Sequence, residues 1–459
     1  MVILQDWFLG FWYMRKVVLI LALVLLFIQQ ANAKYYHYTL KNGLNVYIEE
    51  KHDFPIVNVT VLYRVGCVDE YNSITGISHM LEHMNFRGSR HFKDGYIDEL
   101  TSQFGGIDNA QTSFDYTLYF CTISKNALGK VLAFYADNME NLLLKNDRFL
   151  KERSVVYQER LWRVDNSADG FLYYTLHNIA YKASPYRWTP IGFAYDIRHY
   201  TIEQLKEYYK QYYAPNNAVL VISGDIDKDR VLGLVKKLFG LHKSKGIVRH
   251  ITKEPLQLGR RIAYIKKTSQ FKKLAMGFKI PPISSKDTVV LDLISYMLFD
   301  GKTALAYNDL VRKKGLLVDI DGGNEGRVYD VGLFEIFADL AKKTSFEKAR
   351  NAIFKELNKL KMGKFSDDML NLAKQKAKMD YYLSKETLRG KNRMFAFYAA
   401  FDLLDYYRNY LNLINKVTKK DIMRVSKEYL SQEKESDVFL IPEKGKKIQP
   451  ITSFRGGLR

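Results

Sequence analysis

Cysteine is nearly absent from this 459-residue chain, which has only Cys67 and Cys121. Two cannot build the disulfide framework of a small secreted scaffold, and they are not spaced as a zinc pair. Each sits in a strand-like run, VLYRVGC and TLYFCTI, so they read either as buried thiols or as one bridge. Proline is scarce, at nine residues. With 47% hydrophobic and 26% charged residues, the composition excludes a disordered chain and leaves a globular one. Acidic residues fall short of basic ones, 50 against 70, for a net charge of +20 and a pI near 9.4. Such an excess favours acidic partners, nucleic acid or anionic membrane surfaces. The basic residues are nevertheless spread along the whole chain. There is no basic helix interleaved with aromatics, no zinc-finger spacing and no RNA-binding aromatic signature, so nucleic acid is not an expected partner. The 33 tyrosines and 27 phenylalanines read as packing.

Membrane-length apolar runs are missing as well. The run VVLILALVLLFI, residues 17–28, is short for a comfortable span. Met14-Arg15-Lys16 precedes it and Ala31-Asn32-Ala33 follows, the pattern of a secretory signal with a small-residue cleavage site. Residues 1–13 read as an upstream extension and Lys34 as the first mature residue. The expected location is the bacterial periplasm. The alternative is an uncleaved anchor over residues 2–28, interrupted by Gln5, Asp6, Arg15 and Lys16, which would hold the protein at the inner membrane facing the periplasm.

The mature chain alternates strand and helix signals. YHYTLKNGLNVYIEE (36–50) predicts a hairpin around Asn42-Gly43, and IVNVTVLYRV (56–65) a third strand. A short helix should end at Gly105-Gly106, after which DNAQTSFDYTLYFCTIS reads as strand. Helical patterns follow over about 127–141 and 147–164, then TIEQLKEYYKQYY (201–213) behind a Thr cap. AVLVISGD (218–225) is a strand and DKDRVLGLVKKLFG a helix. Residues 243–258 are polar and unpatterned, which predicts a linker between an N-terminal domain (34–242) and a C-terminal one (259–459).

The second half repeats the first. ISHML begins at 77 and ISYML at 294, an offset of 217 (294 − 77); IRHYTIEQLKEYYKQYY begins at 197 and INKVTKKDIMRVSKEYL at 414, the same offset (414 − 197). At that offset His79, Glu82 and His83 become Tyr296, Phe299 and Asp300. A duplicated fold with one working site is the simplest account.

The working site centres on His79-Met80-Leu81-Glu82-His83, an H-x-x-E-H motif. Residues four apart share a helix face, so two imidazoles can aim at one point, with Glu82 about 100° around the helix from His83. Two neutral imidazoles and a nearby carboxylate suit a catalytic zinc ion, one per chain. A catalytic zinc takes a third protein ligand. In KERSVVYQERLWRVDN (151–166), Glu152 and Glu159 are two turns apart on one face. Glu159 could reach the metal while Glu152 hydrogen-bonds a ligand imidazole, although a helical Glu is more often simply solvated.

HMLEHMNFRGS, then GGIDNAQTSFDYTLY, then ERSVVYQERLWRVDN together resemble the pitrilysin/insulinase family of zinc peptidases, which includes insulin-degrading enzyme and the mitochondrial processing peptidase. The resemblance covers essentially residues 36–445 and is strongest in the first half. The size and two-half layout are similar to bacterial processing-peptidase-like members. The resemblance implies an α+β fold of two homologous sandwich domains facing across a chamber. It implies His79, His83 and Glu159 as zinc ligands, Glu152 as supporting carboxylate and Glu82 as general base. It places the substrate on an edge strand at Asn109-Ala110, held by β-augmentation. The implied activity is hydrolysis of peptides or unfolded segments; a non-catalytic assembly subunit on the same fold is the alternative. One segment departs from the pattern. Active relatives often carry an Arg and a Tyr seven apart in the second half, where LVRKKGLLVD (310–319) puts Val311 and Val318, with Arg312 one place out. A paralogous subunit supplying those groups, or a homodimer, is therefore expected.

Overall fold

The computed structural model describes residues 35–443. The expected leader, residues 1–33, lies outside the described residues. What is described is a two-domain α+β fold, each domain built on one mixed sheet. The first sheet holds β1 (Tyr36–Thr39), β2 (Asn45–Glu50), β3 (Ile56–Tyr63), β4 (Ile107–Thr112), β5 (Thr117–Ser124) and β6 (Ala218–Gly224) in the order β1-β2-β6-β3-β5-β4. The second holds β7 (Arg261–Thr268), β8 (Lys272–Ile280), β9 (Leu317–Glu325), β10 (Gly332–Leu340) and β11 (Glu435–Glu443) in the order β7-β11-β8-β10-β9. Removing β1 from the first gives the second, strand for strand. In both, one parallel pair (β2 with β6, β7 with β11) sits among antiparallel neighbours.

The repeat read from the sequence extends to the caps. Helices Ile202–Tyr212 and Lys419–Tyr429 stand 217 residues apart (419 − 202), and each opens on a capping box, Thr201 with Gln204 and Thr418 with Asp421. In such a box the hydroxyl and the side chain three residues on satisfy two orphan backbone N–H groups.

The central strands are apolar on both faces because both faces are covered. On one face of the first sheet, Val57, Val59, Val61, Cys121 and Ile222 pack with Ile77, Met80, Leu81 and Met84 of the motif helix Ile77–Met84. On the other, Tyr47, Leu62, Leu118 and Val219 pack with Phe395, Ala396 and Ala399 of helix Leu388–Ala400, which belongs to the second half. The exchange is mutual. Helix Ala168–Ala180, from the first half, lays Leu172 and Leu176 against Ala275, Val438 and Leu440 of the second sheet.

One expectation changes and another gains detail. DNAQTSFDYTLYFCTIS is a hairpin of two strands, β4 and β5. The chain reverses at 113–116, where the Ser113 N–H donates to Tyr116 O at 2.8 Å and Asp115 turns inward to accept from the Tyr186 hydroxyl and the Val328 N–H. Alternation alone could not show that break, because Phe114 and Asp115 are both buried. Residues 243–258 contain no helix or strand, but they are tied down. Arg249 donates to Asp69 at 2.9 Å, Glu254 accepts from the N–H groups of Lys182, Ala183 and Ser184, and the Gln257 amide donates to Glu435 O at 2.9 Å. Polar side chains here satisfy backbone groups at the seam between the sheets. Cys67 and Cys121 are both buried free thiols.

Phe395 is 3% exposed and stacks on Tyr35 at 3.8 Å. Phe395→Ala should cost about 3–5 kcal/mol in denaturant unfolding, with loss of structure in the first sheet although the residue belongs to the second half.

Candidate metal centre

The motif helix begins where its sequence makes the chain turn sharply. Gly76 has φ +85°, and a Cβ there would lie 2.6 Å from Ile191 O. Only glycine tolerates that combination. Two buried carboxylates hold the turn. Glu70 accepts from the N–H groups of Gly76 (2.7 Å) and Ser78 (2.9 Å). Asp196 accepts from the Thr75 hydroxyl at 2.7 Å and from the N–H groups of Ser73 and Thr75. Side-chain oxygens at a helix N-terminus satisfy its free backbone donors.

Helix Asn146–Arg160 crosses the motif helix and brings its glutamates to the histidines. Glu159 Oε2 lies 3.6 Å from His79 Nε2 and 3.4 Å from His83 Nε2. Among the described residues this is the one group of three His, Cys, Asp or Glu side chains whose donor atoms all lie within 4.8 Å of one another. The spacing is long for good hydrogen bonds. It matches a tetrahedral metal site, in which bonds near 2.1 Å set ligand atoms about 3.4 Å apart. The donor set, two imidazole nitrogens and a carboxylate oxygen with His79 buried, fits zinc with one position left open.

The surroundings hold this geometry. Glu152 Oε2 lies 3.4 Å from His83 Nδ1, and its other oxygen forms an ion pair with the Arg87 guanidinium, 2.8 Å from Nε. His79 Nδ1 is buried without a hydrogen-bond partner; that ring is held by packing, including an edge-to-face contact with His83 at 4.7 Å. The outer oxygen of Glu159 forms an ion pair with Arg163, 2.9 Å from Nε. Arg163 lies in a short π-helical segment, Leu161–Asp165, where sequence periodicity shows only continuing helix. Glu82 turns toward β4, where the Thr112 hydroxyl donates to its carboxylate. Arg87 and Thr112 were not legible as site residues, because their partners come from other elements; Arg163 pairs with Glu159 at i,i+4, a spacing common on any helix and therefore no mark of a site. Asn109 and Ala110 lie on β4, the edge strand of the first sheet.

Burial sets the proton affinities, modified by neighbouring charges. It pushes His79 down to about 3, helped by the adjacent His83. Burial also disfavours a charged His83, but the Glu152 and Glu159 carboxylates outweigh it and carry the pKa up to about 9. Glu82 is raised by burial, against the Thr112 hydrogen bond and the His83 charge. In Glu152 and Glu159 burial is outweighed by hydrogen bonding to His83, so both are held below the usual carboxylate range.

The second half shows the same scaffold without the chemistry. At the 217 offset His83 and Glu159 become Asp300 and Lys376, which form an ion pair at 2.6 Å. His79 becomes Tyr296, whose hydroxyl donates to Asp380 at 2.6 Å; Asp380 stands at the position of Arg163. Each donor there is satisfied by a neighbour, and Lys376 offers no lone pair while protonated.

Family models agree with this division. One described as Insulinase (Peptidase family M16) matches residues 45–189, and one described as Peptidase M16 inactive domain matches residues 199–377. The chain belongs to peptidase family M16. This M16 chain is 38% identical over 413 residues to a protein named zinc protease PqqE from Helicobacter pylori, covering 88% of this chain and 92% of that one. Among solved structures it is similar to a protease from Helicobacter pylori, with 36% identity and a TM-score of 0.86 over 90% of this chain and 100% of the other. A putative M16-like peptidase from Alicyclobacillus acidocaldarius shares the fold at 19% identity, with a TM-score of 0.78 over 90% of this chain and 99% of that one. Relatives in this family are named zinc proteases, so a metalloprotease is the family-level reading of the M16 chain.

A metal ligand must be neutral at the ligating nitrogen, and His83 in the metal-free chain carries its proton up to about 9. Zinc affinity should therefore rise with pH, by about tenfold per unit through neutrality, and level off above the His83 pKa. Competition with a chromophoric chelator across that range measures the slope.

Proposed function

We propose that the chain is an exported zinc-dependent endopeptidase that hydrolyses peptides or unfolded polypeptide segments, with one zinc held by His79, His83 and Glu159. The observation that carries this reading is the position of Glu82. It stands beside the three-donor cluster and is hydrogen-bonded to Thr112, on a sheet edge that no other strand covers among the described residues.

When bound, zinc supplies Lewis acidity, which makes water nucleophilic near neutral pH and polarises a carbonyl. The remaining steps belong to the protein. The free edge of β4 presents unpaired N–H and C=O groups, and an extended substrate segment adds to it as a further strand. Asn109 Oδ1 accepts from the Ala110 N–H at 2.8 Å, so an incoming strand displaces that side chain to reach the donor. A folded protein has no free strand to offer, which restricts substrates to peptides and unfolded segments. Glu82 accepts the proton of the attacking water and returns it to the leaving amine. Its elevated pKa suits both tasks, since a base that must later act as acid works best near the operating pH. Glu152 keeps the His83 ring oriented, and Arg163 keeps one Glu159 oxygen turned toward the imidazoles.

Export to the periplasm rests on the leader pattern of residues 14–33 and on a related Escherichia coli structure described as the periplasmic protease PqqL. No helix among the described residues is long and apolar enough to cross a membrane.

The second half supports a two-subunit form of this reading. Val311 packs against the second core, Val318 is 44% exposed on β9, and Arg312 is spent on Lys302 O at 3.4 Å. Nothing in 310–319 presents the arginine–tyrosine pair seen in active relatives. A paralogous subunit or a second copy that lends such groups would raise activity; full activity of the purified chain, unchanged by any paralogue, would remove that form.

Glu82→Gln should keep one zinc per chain and lose peptide cleavage by about 10²- to 10⁴-fold. Metal analysis and a fluorogenic peptide assay on the same preparations test this. Retained cleavage would exclude Glu82 as the base, and zinc-free wild type would exclude the metal assignment.

A further inference from the structure

A second recess lies along the same edge strand, at the end away from the metal centre. Phe54, Ile56, Ile107 and Leu388 line it with apolar surface, and Glu386 and Arg389 are among the polar residues around them. Its volume is about 360 Å³, within the range of sites that take a side chain or small ligand. Phe54 is 69% exposed and Ile107 is 52% exposed. Single exposed hydrophobes occur elsewhere on the surface, but these two line one recess together.

The register of the first sheet connects this recess to the substrate path. Thr112 turns to the face that carries the motif helix, since its hydroxyl reaches Glu82. Ile107 is five residues earlier on the same strand, so it turns to the opposite face. The pairing agrees: Ile107 stands opposite Thr122, and Thr122 accepts from Asn58, which accepts in turn from Asn392 of helix Leu388–Ala400. Directly opposed residues in paired strands project to the same face. A substrate strand added to β4 therefore sends the residue opposite Ile107 into this recess. The distance from Thr112 to Ile107 is about 17 Å at 3.4 Å per residue. That places the residue in question about four to six positions from the bond held beside Glu82.

We propose that this recess is a substrate subsite selecting a large apolar side chain four to six residues from the scissile bond. The inference rests on the reading of β4 as the substrate-binding edge. The recess joins both halves, with Phe54 and Ile107 from the first and Leu388 from the second. The helix that the second half lends to the first sheet thereby also completes a specificity pocket, and a lone first half lacks that wall.

The test uses the zinc-loaded full chain and peptides that share the same residues around the bond. One long peptide carries Phe at the fourth to sixth position on either side, and its twin carries Gln there. Wild type should cleave the Phe peptide with kcat/KM about tenfold above the Gln twin. Phe54→Ser and Ile107→Thr, both at exposed positions, should bring that ratio close to one. A ratio near one in wild type, or a ratio that survives both substitutions, overturns the subsite. Binding of the same two peptides to zinc-loaded Glu82→Gln separates this from the peptidase reading. If wild type cleaves neither peptide, the peptidase reading fails and the Kd ratio alone decides the subsite: about tenfold supports it, and equal affinities overturn it. A self-association lost in Phe54→Ser, with the peptide ratio intact, assigns the recess to a second copy of the chain and also overturns it.

Discussion

One carboxylate oxygen has to lie between two imidazole nitrogens carried by another helix. Glu159 Oε2 meets that requirement at 3.6 and 3.4 Å, and much of the first half serves to hold it there. The motif helix cannot rotate, because Glu70 and Asp196 grip its first turn and a glycine with no room for a Cβ closes the approach. The partner helix cannot slide, because Glu152 bridges Arg87 and His83 two helical turns away from Glu159. Buried carboxylates of this kind are expensive unless satisfied, and each here is spent on a donor that fixes position.

Duplication explains why so much scaffold surrounds so small a site. Apart from β1, both halves use one strand order, but the second has the Asp300–Lys376 ion pair and the Tyr296–Asp380 hydrogen bond where the first has lone-pair donors. Those replacements satisfy one another, so the second half keeps its packing without a metal. Its contribution to the first half is structural and spatial. Helix Leu388–Ala400 closes the far face of the first sheet, and its first turn forms a wall beside the edge strand β4. The halves are therefore interdependent although each has its own core.

Much of this was legible in the chain. The H-x-x-E-H spacing and the pair of glutamates seven apart depend on helix periodicity, which is local and therefore visible, and the 217-residue repeat shows as similar segments at one offset. The arrangement of Glu82 was not, because its partner Thr112 stands on a strand that the sequence showed only as part of one long run. Arg163 stands four residues after Glu159, an ordinary helical spacing, and an i,i+4 pair of that kind is too common to mark a site. The polar stretch 243–258 read as a linker, and its anchoring did not show because its partners, Asp69, Lys182 and Glu435, are far away in sequence.

The sequence by itself determined which residues could bind a metal, that the fold is doubled, and that one copy lost its ligands. These follow from periods of 3.6, 2 and 217 residues, each written in a continuous stretch of chain. Only the tertiary structure decided that the halves exchange helices, that β4 is an uncovered edge, and that Glu82 leans on it. Those outcomes depend on which buried faces meet, and that choice is made by the packing of the whole molecule rather than by any segment of it.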